Sequence, residues 1–200
     1  LIDNLFQITV LLCACVAAGI LAIRHRNRSL LILSLAYACF AMGTIYYVLY
    51  LVIIGIWPQV FYVAEISWLA AWLFYLSVQI LPAEGKKYRF SLPAGATAAV
   101  ITAIAFLDHD FGPSYLISAL FSLTAGAIMY LSVSHIQNGS LYRKRDFFMI
   151  ICVMLQVLLY LISNYTHDYT RFQLYYAVDL ALTLSMAALL PLTLREVKRA

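Results

Sequence analysis

Long apolar runs separated by short polar breaks pattern the chain from end to end. Seven of them fall at about 5–23, 30–54, 59–81, 91–107, 114–135, 147–165 and 173–194. A helix crosses the hydrocarbon core of a bilayer with roughly 20 apolar residues, the length most of these runs approach. The breaks carry turn and loop chemistry: RHRNRS (24–29), GIWP (55–58), PAEGKKYRF (82–90), DHDFGP (108–113), QNGSLYRKRD (137–146) and THDYTRF (166–172). Pro58, Pro93 and Pro113 stand near run starts, where a missing N–H costs little, and Pro82 ends the third run. The pattern predicts an all-α membrane protein: a single domain, 1–200, of seven transmembrane helices.

Composition points the same way. The 200 residues are 64% hydrophobic and 11% charged, whereas a soluble domain is about 45–50% apolar and 25% charged. The basic residues then orient the spans. Arg24, Arg26 and Arg28 lie in the first break, Lys86, Lys87 and Arg89 in the third, Arg143, Lys144 and Arg145 in the fifth, and Arg195, Lys198 and Arg199 after the last run. Of thirteen lysines and arginines only Arg171 falls on the other side. The expected topology has the N-terminus outside and the C-terminus in the cytosol, in the plasma (inner) membrane. RHRNR follows the first run instead of preceding it, which fits a first span better than a cleaved signal peptide. The net charge of +4 makes an inner girdle for anionic lipid and implies no nucleic-acid partner. Cys13, Cys15, Cys39 and Cys152 all lie in apolar runs and read as small packing residues.

Against this apolar background two acids stand out, Glu65 in FYVAEI (61–66) and Asp179 in YYAVDL (175–180). The two hexapeptides align, acid on acid, and the helix count divides as 3+1+3, an arrangement that a duplication of parallel sense can generate; a six-residue match in apolar sequence also arises by chance. Each acid lies about 10 Å inside the outer boundary at ~1.5 Å per residue. A carboxylate facing lipid at that depth costs several kcal/mol, so each is expected to face the bundle interior or a wet cavity. Helical spacing puts Tyr62 and Trp68 beside Glu65, and Tyr176 and Thr183 beside Asp179. Tyr46 and Tyr47 from the second run and Asn164 from the sixth complete an expected outward-opening, tyrosine-rich cavity around both acids. Such a cavity suits a cationic ligand or ion, or a proton shared between carboxylates. Acids that merely hydrogen-bond neighbouring hydroxyls would account for the pattern too. DHD (108–110) and HD (167–168) are outer polar turns that could ligate a metal or sense acid; solvated turns explain them as well. Gln156, Asn164, Ser118, Ser122 and Thr124 read as interhelical hydrogen-bonding groups, Gly43 and Gly126 as points of close helix approach, and His135 as an interfacial residue.

Every lysine lies in a break or at the terminus, so no span offers one for a retinal Schiff base. No P-loop, HExxH or GxSxG motif is present, and the chain is not expected to be an enzyme or to carry a cofactor. The stretch WPQVFYVAEISWLAAWLFYLSVQIL (57–81), with Pro58 after an outer turn and AEISW (64–68), resembles the third helix of seven-helix sensor domains at the amino end of bacterial histidine kinases and diguanylate cyclases. LLILSLAYACFAMGTIYY (30–47) is similar to the helix that precedes it there. The family more often has Asp where this chain has Glu65. What the resemblance implies is an input domain, with LREVKRA (194–200) suited to begin a connector to a cytosolic output module. The expected function is therefore a membrane sensor or receptor that binds a small, cationic molecule or an ion near Glu65 and Asp179. The alternative is a small solute or proton-coupled transporter. Expected partners are the lipid bilayer, a small-molecule or ion ligand, a cytosolic signalling domain and a second copy of the chain as a homodimer.

Overall fold

A computed structural model of the chain describes residues 2–55, 62–81, 91–107, 115–139, 142–165 and 173–198. Seven α-helices make up the described chain: α1 (Ile2–His25), α2 (Arg28–Ile54), α3 (Tyr62–Ile80), α4 (Leu92–Leu107), α5 (Tyr115–Gln137), α6 (Arg143–Tyr165) and α7 (Leu174–Val197). Six of them are long and apolar enough to cross a membrane. The exception is α4, whose 16 residues extend about 24 Å at ~1.5 Å per residue, short of a hydrocarbon core of about 30 Å. Large apolar side chains such as Val16, Ile20, Ile23, Val52, Ile53 and Leu123 point out of the bundle, the surface that lipid, not water, accommodates.

The helix ends follow from local chemistry. A two-residue link joins α1 to α2. In it Arg26 takes φ 47°, and Asn27 caps α2 by accepting from the Leu30 amide at 3.2 Å. Gly55 ends α2 in the left-handed region, φ 75°, and its N–H closes on the Leu51 carbonyl at 3.0 Å. Pro191 stands inside α7 without ending it. Near it, the Tyr37 hydroxyl of α2 donates to the Met186 carbonyl of α7 at 2.8 Å.

Packing contacts run α1–α2–α3–α5–α6–α7 and back to α1, so the six long helices close into a ring. Outside it, α4 lies mainly against α5. Gly126 permits that approach, since a Cβ there would collide with the Thr102 hydroxyl of α4. Ser91, just before α4, hydrogen-bonds Gln137 at the end of α5, so α4 starts where α5 finishes and runs against it. Inside the ring, Tyr37, Trp72, Tyr75, Leu182 and Met186 are fully or almost fully buried, with Tyr37 edge-on to Tyr75 at 6.2 Å.

One end of the bundle is basic. Arg24, Arg26, Arg28, Arg143, Lys144, Arg145, Arg195 and Lys198, every lysine and arginine among the described residues, lie there. Within this end an ionic cluster ties four helices together. Arg145 of α6 is 1% exposed and Asp146 is 0% exposed. The Arg145 guanidinium reaches its neighbour Asp146 at 3.3 Å, Glu196 of α7 at 3.4 Å and the Gln79 side-chain oxygen of α3 at 3.3 Å. Asp146 also faces His135 of α5 at 3.5 Å. His135, at the end of α5, is therefore a buried partner, because the first turn of α6 brings a carboxylate to it. Desolvated charges need such pairing. Arg145→Met is expected to cost about 3 kcal/mol in detergent unfolding, while exposed Lys144→Met stays within about 0.5 kcal/mol; equal losses would contradict a structural ion cluster.

Candidate functional site

Both sequence-singled acids lie toward the end opposite the basic one. Asp179 sits in the second turn of α7 and is 4% exposed; Glu65 sits in the first turn of α3 and is half-buried.

Asp179 is held by a chain of hydrogen bonds across four helices. Its Oδ1 accepts from the Gln7 amide nitrogen of α1 at 2.9 Å, and the same nitrogen lies 3.2 Å from the Thr183 hydroxyl. Gln7 Oε1 accepts from Thr44 Oγ1 of α2 at 2.8 Å. Thr44 Oγ1 in turn lies 3.3 Å from the Trp68 indole N–H of α3. Donation thus runs one way, from Trp68 through Thr44 and Gln7 to the carboxylate, a sense in which successive bonds polarise one another. Asp3, buried on the same face of α1 a turn before Gln7, lies close enough to Asp179 for the two carboxylates to interact.

Glu65 faces elsewhere. With Trp68, Leu69, Ile117, Ser118, Phe121 and Tyr160 it lines a small space of about 20 Å3 between α3, α5 and α6. Asp179 is not among the residues lining it. Trp68, Phe121 and Tyr160 make part of the wall aromatic; Phe121 stands edge-on to Tyr160 at 5.3 Å and, behind the wall, to Trp72 at 6.0 Å. Glu65 Oε2 is buried and has no hydrogen-bond partner among the described residues.

Trp68 belongs to both settings: its ring walls the space at Glu65, and its N–H begins the relay to Asp179. Gly43 makes this possible. A Cβ there would come within 2.7 Å of Trp68 Nε1 and 2.9 Å of the Ala64 carbonyl, so only a glycine lets α2 and α3 close around the indole.

Of the other residues expected at the site, Thr183 joins the Asp179 group and Tyr47 stacks against Trp68 at 6.4 Å. Tyr46 packs on Tyr50 of its own helix, and Tyr176 on Tyr175. The side chains of Tyr62 and Asn164, and the DHD and HD turns, lie outside the described residues. Ser122 and Thr124 bond back to the Ser118 and Leu120 carbonyls of α5 itself, not across helices as expected, since a hydroxyl one turn on satisfies itself locally. The residues missed are Gln7 and Thr44. A glutamine in the outer part of the first apolar run, at a depth like that of Asp179, was the available signal. No group of three or more His, Cys, Asp or Glu suited to a metal ion occurs among the described residues.

Compared with known protein families, curated proteins and solved structures, the chain matches none.

The relay depends on helix approach, which Gly43→Ala tests. The substitution should push the indole aside, lower stability by about 1–3 kcal/mol and shift tryptophan emission. A variant as stable as the parent with unchanged emission would show that Trp68 is not so confined.

Proposed function

We propose that the chain is a membrane sensor domain that responds to a small cation, the proton included, lodging beside Glu65. The observation that carries this reading is Glu65 Oε2, enclosed without a described partner in an aromatic-walled space of about 20 Å3. That space suits one water-sized occupant, which favours an ion over a larger molecule. A carboxylate half-buried among apolar side chains is costly, and a cation that balances its charge relieves the cost. Three of the lining residues, Trp68, Phe121 and Tyr160, are aromatic, the residue type that attracts cations.

Trp68 supplies the transmission. A cation at Glu65 bears on the indole that also starts the relay to Asp179, so occupancy on the α3/α5/α6 side biases the α1/α7 contact on the other. Differential affinity for two such packings is what a sensor requires. In this reading the basic end faces the cytosol of a bacterial cell, as the positive-inside tendency favours. The movement then leaves through α6 and α7 to a cytosolic signalling partner. Resemblance of 57–81 to the third helix of bacterial sensor domains supports the same assignment.

A second reading, a small solute or proton-coupled carrier, draws support from the ring. Exchanging α1, α2 and α3 for α5, α6 and α7 maps the ring of contacts onto itself. The same exchange maps Glu65, facing α5 and α6, onto Asp179, whose relay runs through α1 and α2. A duplicated, parallel 3+1+3 architecture with α4 as linker would produce that correspondence.

The sensor reading predicts that the unfolding midpoint of the wild type depends on pH or on added monovalent cation, and that Glu65→Gln removes most of that dependence. Spin labels at the exposed positions Arg143 and Arg195 should report a distance in Glu65→Gln that matches the cation-saturated wild type. Equal cation and pH responses in both proteins contradict it, and solute or proton flux through proteoliposomes would favour the carrier.

A further inference from the structure

At the basic end, the start of α2, the end of α7 and the first turn of α6 enclose a cavity of about 390 Å3. Small-ligand pockets are typically about 300–1,000 Å3, so this space, far from Glu65, has the size that Glu65's lacks. Its charged lining consists of three arginines, Arg26, Arg28 and Arg145, and one carboxylate, Glu196. Arg145 and Glu196 offset each other at 3.4 Å. Arg26 and Arg28 are exposed and form no ion pair with a described acid. Among the described residues, then, no acid compensates these two guanidiniums on the wall.

Helix geometry adds donors of the same sign. Arg28 and Ser29 are the first residues of a 27-residue helix and line the cavity. Their N–H groups have no intrahelical acceptor, and the positive end of the helix dipole lies there. A further observation is independent of both. Thr193 of α7, 1% exposed, forms part of the wall, and its Oγ1 has no hydrogen-bond partner among the described residues. A buried hydroxyl without a partner is uncommon unless something else supplies one.

We propose that this cavity binds a phosphate-bearing anion, whether the headgroup of an anionic lipid or a small soluble phosphate ester. Guanidinium forks, free helix N–H groups and a hydroxyl are the donors a tetrahedral oxyanion takes up. Glu196 stays harmless to it by remaining on Arg145. The volume exceeds what one phosphate needs and leaves room for the organic group it carries. Where the long helices end is also where a lipid headgroup sits.

The whole chain in phosphatidylcholine nanodiscs is unfolded thermally with inorganic phosphate, with glycerol 3-phosphate, or with sodium chloride at matched ionic strength. A parallel arm replaces part of the phosphatidylcholine with phosphatidylglycerol and adds no phosphate. Tm should rise in at least one arm beyond the chloride control, and the arm that responds identifies the source. The Arg26→Gln/Arg28→Gln double variant should need about tenfold more phosphate or anionic lipid for the same rise. Thr193→Val should weaken the response, while Arg24→Gln, at the same end but not on the wall, should keep it. No rise in either arm, or the same rise in the double variant as in the parent, overturns the site.

Discussion

A polar side chain inside a bundle whose outer surface is apolar is stabilised chiefly by partners within the bundle, because lipid can supply none there. The rest of this architecture depends on that constraint. At the basic end it gathers α3, α5, α6 and α7 around Arg145, which spreads its guanidinium over Asp146, Glu196 and Gln79. At the opposite end it gathers α1, α2, α3 and α7 around Gln7, which donates to Asp179 and accepts from Thr44. Apolar packing alone would leave helix rotation loosely specified. Directional bonds at both ends fix which face of each helix turns inward.

These partners also explain what stands apart. Glu65 lies between α3, α5 and α6, with Ser118 and Phe121 of α5 lining the space beside it and no glutamine among the lining residues. The two acids thus differ in their surroundings, Asp179 held by an amide and Glu65 with an oxygen, Oε2, that has no hydrogen-bond partner among the described residues. An acid that already takes a hydrogen bond from a neighbouring helix is a fixture, whereas one with a buried oxygen lacking a described partner is open to an occupant. The functional reading rests on that asymmetry.

Much of the fold was legible because hydrophobic runs and loop residues report helix number almost directly. The helix bounds of α2, α3 and α7 fall close to the expected spans. The largest departure is α6, which begins at Arg143 and not at 147. RKRD reads as a solvated girdle, yet Arg145 and Asp146 turn inward to Gln79, His135 and Glu196. Charge counting assigns a side of the membrane but cannot tell which member of a basic cluster is buried. Inward burial of Asp179 was legible from cost alone. Its partner was not, since helical spacing relates residues along one helix and says nothing of which glutamine a distant helix presents. Glu65 and Asp179 were expected around one cavity; what joins them in the structure is Trp68 and its relay, which depends on the Gly43 approach.

The ring and its far-end relay meet where α1 lies against α7, so the most direct measurement is a cross-link between them. On a background lacking the native cysteines, Gln7→Cys and Thr183→Cys should be joined within the chain by a short thiol-specific reagent. Proteolysis between α1 and α7 should then leave the two fragments connected. Free fragments under conditions that link a Thr44→Cys/Trp68→Cys pair would mean that α1 does not close on α7, and the ring would be wrong.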